Sequence, residues 1–164
     1  YQTILIGAPS SRLEKVKGWG LPEPINIDAT TPEDRVERVM ELTAGRGADV
    51  VIECAGPPNA FNEGISMLRK GGQLMVIGQA HGEKVPVDTT SLKVRQTTIN
   101  TSLSAEITDY YDALRFLESH AEALNLKSIV SSHGYGLGDV SKALHDMKTG
   151  MEMKPLILPN KKEA

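Results

Sequence analysis

Apolar positions along this chain follow two alternating rhythms. Segments built on short apolar runs, Thr3–Gly7 (TILIG), Ala48–Gly56 (ADVVIECAG) and Gln73–Gly78 (QLMVIG), read as buried strands, each ending at a glycine. Between them lie stripes with the i, i+3, i+4, i+7 spacing of a one-sided helix. Val36, Val39, Met40 and Thr43 form such a stripe within TTPEDRVERVMELT. Thr31 is its expected N-cap, Pro32 suits the first helical position, and Glu33 and Asp34 suit the positive end of the helix dipole. Phe61, Ile65 and Leu68 predict a second helix, ended by Gly71-Gly72. Tyr110, Ala113, Leu114 and Leu117 predict a third, and Val140, Ala143, Leu144 and Met147 a last one. A short helix capped by Ser10 or Ser11 places Leu13 and Val16 on one face, and GWGLPEP breaks it. INID, Thr97–Leu103, SIVSS and KPLILP are further strand candidates.

Strands alternating with helices predict an α/β fold with right-handed crossovers and a mostly parallel sheet. Such sheets are covered on both faces, which accounts for unbroken runs such as Val50–Ile52 and Leu74–Ile77. Their ligands bind beyond the carboxyl ends of the strands. Those ends are Gly7, Cys54-Ala55-Gly56 and Ile77-Gly78-Gln79. Each glycine alone could simply start a turn. Three at successive strand ends point to a shared site, where a ligand approaches the backbone closely.

Composition narrows the chemistry. The 164 residues are enough for one domain with a core, and 40% hydrophobic with 24% charged residues describes a globular chain. A net charge of −3 and few aromatics speak against nucleic acid as a partner. One cysteine excludes a disulfide framework or a cysteine-rich zinc lobe. No apolar run reaches the ~20 residues that span a bilayer, and no basic-then-apolar leader opens the chain, so no membrane partner and a cytoplasmic location are expected. Tyr1 leads at once into an apolar run, which points to a chain whose beginning has been removed.

Three segments, GRGADVVIECAG, LRKGGQLMVIGQ and ALHDMKTGMEMKPLILP, strongly resemble the medium-chain dehydrogenase/reductase family, the zinc-dependent alcohol dehydrogenases in particular. ILIGAPSSRLEKVKGWG resembles that family's second Rossmann strand and the helix after it. The resemblance covers nearly the whole chain but only the carboxyl-terminal half of a typical member. It implies a Rossmann-like doubly wound parallel sheet that lacks its first strand and glycine-rich turn. Residues 1–164 would then be a partial NAD(P)-binding domain plus the family's carboxyl-terminal helix and strand segment. The GroES-like catalytic domain, which holds the catalytic zinc and the proton relay, would be absent.

Carried over position by position, the resemblance implies a cofactor-binding set and no catalytic or metal-binding residue. Gly7 stands where relatives that use NAD have an acidic residue on the adenosine ribose, so NADP becomes possible, although Ala8-Pro9 replaces the Ser-Arg that often follows such a glycine. Arg12 matches a basic position near the ribose, or is a solvated helix residue. Cys54, Ala55 and Gly56 match the ledge under the cofactor, with Cys54 a small, inert packing residue. Ile77, Gly78 and Gln79 match the strand end beside the nicotinamide. Ser102, Leu103 and Ser104 match the segment whose backbone holds the carboxamide, and Lys154 a basic residue that reaches the pyrophosphate. Glu53 reads as a structural end to its strand rather than a base. The implied partners are NAD or NADP, an alcohol or carbonyl substrate bound through the absent domain, and further copies of the chain in a homo-oligomer. Zinc belongs to the whole protein and not to this chain.

Several tempting features carry less. GYGLGD lacks the sixth glycine of the dinucleotide fingerprint, and its Asp139 suits helix capping. The GRG at Gly45 precedes a strand, the wrong side for phosphate. His81, His120, His133 and His145 have no metal-ligand spacing. No serine sits in a Gly-x-Ser-x-Gly turn. Two readings besides the alcohol dehydrogenase stay open: an interaction module on a degraded Rossmann scaffold, and a fragment of a zinc-free quinone reductase. In the Rossmann strand order the first strand is central, so the TILIG and DVVIEC strands lose a shared neighbour. The gap is expected to be filled by polypeptide outside this sequence, by a neighbouring chain or by re-pairing.

Overall fold

Thr31 starts the helix that the sequence pattern marks most strongly. Its Oγ1 accepts from the Asp34 amide at 3.1 Å, and the Asp34 carboxylate accepts from the Thr31 amide at 2.9 Å. This reciprocal cap, with Pro32 at the first position, begins a helix over Pro32–Leu42. The computed structural model describes residues 2–78, 82 and 84–160. Its α-helices are α1 Ser10–Val16, α2 Pro32–Leu42, α3 Pro58–Met67, α4 Thr89–Arg95, α5 Ile107–Leu124 and α6 Val140–Lys148. Its strands are β1 Ile6–Gly7, β2 Ile25–Asn26, β3 Ala48–Glu53, β4 Leu68–Val76 and β5 Thr98–Thr101. They fall into two units, Thr30–Ala105 and the combination of Tyr1–Ala29 with Glu106–Ala164.

The Thr30–Ala105 unit carries a three-stranded parallel sheet in the order β3-β4-β5. Ile65, Leu68 and Leu74 form its core, with Val51, Phe61, Val76 and Leu92 packed around them. Leu68 and Leu74 are fully buried. Gly64 lets α3 lie close on the sheet: a Cβ there would sit 3.2 Å from both Leu74 and Val51 side chains. Arg35 of α2 and Glu63 of α3 make a two-pronged ion pair, with Nε–Oε1 at 2.6 Å and Nη2–Oε2 at 2.8 Å. Arg35 also donates to the Thr30 carbonyl at 2.6 Å, and the carboxylate beside it raises its already high pKa.

Two expectations change here. Helix α3 ends at Met67, and Gly71-Gly72 lie inside β4 instead of closing the helix. Ala48 pairs with Leu68 but Val50 pairs with Gln73, so residues 69–72 form an excursion from the ladder. Gly71 takes a φ of +70°, and a Cβ on Gly72 would stand 2.9 Å from the Arg69 carbonyl oxygen, so this detour selects for glycine. Among the described residues, this unit's own helices cover the sheet on one face only. Val51 packs on the core, whereas Val50 is 52% and Ile52 61% exposed. Alternation along the strand sends these two to the face that neither α3 nor α4 covers. No described strand pairs with the outer edge of β3, and re-pairing does not occur among the described residues.

In the other unit β1 runs parallel to β2, and the Ile25 amide donates to the Leu5 carbonyl at 2.9 Å. Leu13 and Val16 of α1 are buried, as their spacing predicts. Helix α1 is fastened to the turn after α6 by side chains on backbone carbonyls. Ser11 Oγ donates to Gly150 at 3.1 Å, Lys15 Nζ to Met151 at 3.3 Å, and the Arg12 guanidinium to Met147. Tyr135 is buried, and its hydroxyl donates to Asp146 at 2.8 Å; burial and that carboxylate push the phenol up to about 12. SIVSS and KPLILP do not form named strands: Val130 bridges Lys154 in parallel, and Tyr135, just beyond SIVSS, bridges Ile157. Between these bridges Ser131 Oγ accepts the Leu156 amide at 2.8 Å, so a side chain replaces a rung of the ladder. Asp139 stands at the N-cap of α6 but accepts from the Gly136 amide at 3.3 Å instead of capping the helix. Helix α5 forms as its stripe predicts, yet Tyr110, Leu114 and Leu117 on that stripe are all exposed.

Candidate functional site

Parallel strands in register end together. Glu53 of β3 lies opposite Val76 of β4, and Val76 lies opposite Thr101 of β5. The segments that follow, Cys54–Gly56, Ile77–Gly78 and Ser102–Ser104, therefore leave the sheet side by side. Backbone bonds tie them across the tips. The Glu53 carbonyl accepts from the amides of Ile77 at 2.8 Å and Gly78 at 2.9 Å, and the Val76 carbonyl accepts from Ser102 at 3.1 Å. Eight of the twelve candidate cofactor residues sit on this one row.

Glu53 shapes the first tip. It is 7% exposed, and its Oε1 accepts from the amides of Ala55 at 2.6 Å and Gly56 at 2.7 Å. An ionised oxygen that accepts two amides makes strong, short hydrogen bonds. This is the structural end to the strand that the sequence suggests. The partners were legible too, since an acidic side chain followed two and three residues later by small residues is placed to bond their amides.

The glycines at these tips prove to serve the chain itself. Gly56 has a φ of +91°, which other residues adopt only with strain. A Cβ on Gly78 would lie 2.5 Å from Glu53 Oε2 and 2.5 Å from the Gly56 amide nitrogen. At Gly78 a neighbouring carboxylate and backbone make an approach this close within the chain itself. Gly78→Ala is therefore expected to destabilise the fold by about 1–3 kcal/mol, the usual range for overpacking. Urea melts of variant and wild type measure this, and an unchanged midpoint would contradict the geometry.

Cys54 departs from its expected packing role. It is exposed, because Glu53, the residue before it, occupies the buried position at the strand end. Ile77 is half exposed, and Ser102, Leu103 and Ser104 are exposed, Leu103 at 92%. Ser104 takes a φ of +61°, turning the backbone sharply beyond β5. Gln79, and with it His81, lies outside the described residues.

The remaining candidates belong to the other unit. Gly7 closes β1, and a Cβ there would stand 3.4 Å from Leu13, an ordinary contact. Arg12 is half-buried rather than solvated: its Nη2 donates to the Met147 carbonyl, while its buried Nε has no partner among the described residues. The side chain of Lys154 is exposed, and its carbonyl accepts the Ser131 amide at 3.0 Å. Among the described residues no group of three or more His, Cys, Asp or Glu side chains could hold a metal ion. Nor is any described helix long and apolar enough to cross a membrane.

Comparison with known proteins identifies the fold and the family. The sorbitol dehydrogenase of Halalkalibacterium halodurans is 34% identical over 160 residues, 96% of this chain and 45% of that protein. The 5-exo-hydroxycamphor dehydrogenase of Pseudomonas putida is 29% identical over 94% of this chain and 43% of its own length. Among solved structures, the alcohol dehydrogenase TADH of Thermus sp. ATN1 superposes with a TM-score of 0.82 at 26% identity, over 96% of this chain and 44% of that one. The chain thus spans less than half the length of these relatives, and its α/β architecture is that part of their Rossmann fold. The family profile described as zinc-binding dehydrogenase matches residues 2–119. This chain therefore belongs to the zinc-binding dehydrogenase family.

Proposed function

We propose that this chain is the cofactor-binding portion of an oxidoreductase that transfers a hydride between an alcohol and NAD(P). The observation that carries the reading is the row of three in-register strand tips in a chain of this family. Relatives named for sorbitol, hydroxycamphor and threonine dehydrogenation support a hydroxyl-bearing carbon as the reacting centre.

The residues present suit a flat, hydrogen-bonding ring better than a metal. Cys54, Ala55 and the half-exposed Ile77 would form its floor, and the exposed segment 102–104, whose Ser102 amide is held by Val76, would offer its remaining backbone groups to a carboxamide. Bound there, a nicotinamide supplies the site that gives or takes the hydride. The chain's own part is to hold that ring in one orientation, so that less freedom is lost at the moment of transfer. A glycine at position 7, where an acidic residue would select NAD, is compatible with either NAD or NADP. No group of side chains among the described residues fits a zinc site. Under the same reading copies associate at the outer edge of β5, which is exposed and pairs with no other described strand.

Titration of the chain with NADH and NADPH, followed by nicotinamide fluorescence, tests the proposal. Saturable binding of at least one is expected, with no alcohol oxidation when NAD+ or NADP+ and an alcohol are supplied. Absence of binding to both overturns the cofactor reading. Turnover by the purified chain overturns the assignment of the reactive centre to polypeptide outside it.

A further inference from the structure

We propose that Glu53 is the positioning residue of the cofactor ledge, fixing two strand tips as one surface against the nicotinamide end of the ligand; this rests on the cofactor reading above. Glu53 acts through the backbone in two directions. Its carboxylate holds the amides of Ala55 and Gly56, while its own carbonyl holds those of Ile77 and Gly78. The same carboxylate fills the space a side chain on Gly78 would need, and the Gly56 amide closes that space from the other side. Glu53, Gly56 and Gly78 therefore interlock, and neither tip moves without the other.

The chemistry of the group matters as well as its shape. Glu53 is nine-tenths buried, and burial of a carboxylate is tolerated only when hydrogen bonds satisfy it. Removing it leaves two amides of the first tip without their acceptor and opens a gap under Gly78. Glutamine keeps an acceptor oxygen in the same place and so preserves the geometry while removing the charge. A positioning role through the backbone predicts that glutamine suffices and alanine does not.

The test compares Glu53→Ala, Glu53→Gln and the wild type as full 164-residue chains, with NADH and ADP-ribose as probes. ADP-ribose lacks the nicotinamide and reports on the rest of the site. Glu53→Ala is expected to weaken NADH binding by roughly tenfold or more and ADP-ribose binding by less than about threefold. Glu53→Gln is expected to restore NADH binding to within about threefold of wild type. Equal losses for both ligands in Glu53→Ala would mean general loosening and overturn the positioning role. Amide hydrogen exchange without ligand provides the arm that is independent of cofactor binding. Faster exchange at Ala55, Gly56, Ile77 and Gly78 in Glu53→Ala, with Val51 and Leu74 unchanged, is the expected pattern. Unchanged exchange at the four tip amides overturns the role of Glu53 itself. If the wild type binds neither probe, the cofactor reading fails and takes the ligand half of this proposal with it.

Discussion

Arg35→Met is expected to destabilise the Thr30–Ala105 unit by about 3–5 kcal/mol, the usual cost of removing one partner from a buried ion pair. Arg35 is 7% exposed, and the side chain of Glu63 only 13%. Taking the guanidinium away leaves the carboxylate in a poorly solvated position without its two short hydrogen bonds. The Thr30 carbonyl, at the entry to α2, loses a donor as well. Removing both charges in Arg35→Met with Glu63→Leu is expected to recover most of the loss, since paired apolar groups replace buried ion pairs at little cost. Urea denaturation measures each variant, with the slope checked for constancy so that midpoints report stability. A single variant within about 1 kcal/mol of wild type would show that water reaches Glu63.

Leu74→Ala is expected to cost about 3 kcal/mol, within the range for truncating a fully buried leucine. Leu74 stands on the middle strand and closes the core with Ile65 and Leu68. Its side chain also limits how near α3 can come, being 3.2 Å from a Cβ placed on Gly64. This gives a second expectation. Gly64→Ala alone crowds both Leu74 and Val51. In the Leu74→Ala background the new methyl enters vacated space, and alanine gains about 1 kcal/mol of helix propensity over glycine. The new methyl is then left 3.2 Å from Val51 alone, so the double-mutant cycle should give a favourable coupling. Strictly additive effects would mean that α3 does not pack on Leu74 as described.

Much of this was legible along the chain. The cap at Thr31 is local, and the sequence marks Thr31 as the N-cap and Asp34 as suited to the helix dipole; the structure adds the return bond from the Thr31 amide to Asp34. Glu53 was readable as a structural strand end for the same reason, because its partners lie two and three residues on. The buried pair Arg35–Glu63 left a fainter trace. Arg35 lies four residues before Val39 on the buried stripe, a charged residue where an apolar one is usual. Its partner is 28 residues away, and no local pattern specifies which acidic residue meets it.

What the sequence determined by itself is the alternation of strands and helices, the parallel sense of the sheets, and the family-specific segments at the strand tips. These follow from hydrophobic period, capping chemistry and turn residues, which act over a few positions. Tertiary structure alone decided that the tips at 54–56, 77–78 and 102–104 stand in one row, because that depends on the register that sets Glu53 beside Val76 and Val76 beside Thr101, residues far apart in the chain. It also decided that Gly78 makes room for Glu53 and the Gly56 amide, that Cys54 is exposed, and that Val50 and Ile52 are exposed. An apolar run specifies that a residue favours burial, but only the elements packed against it determine whether it is covered.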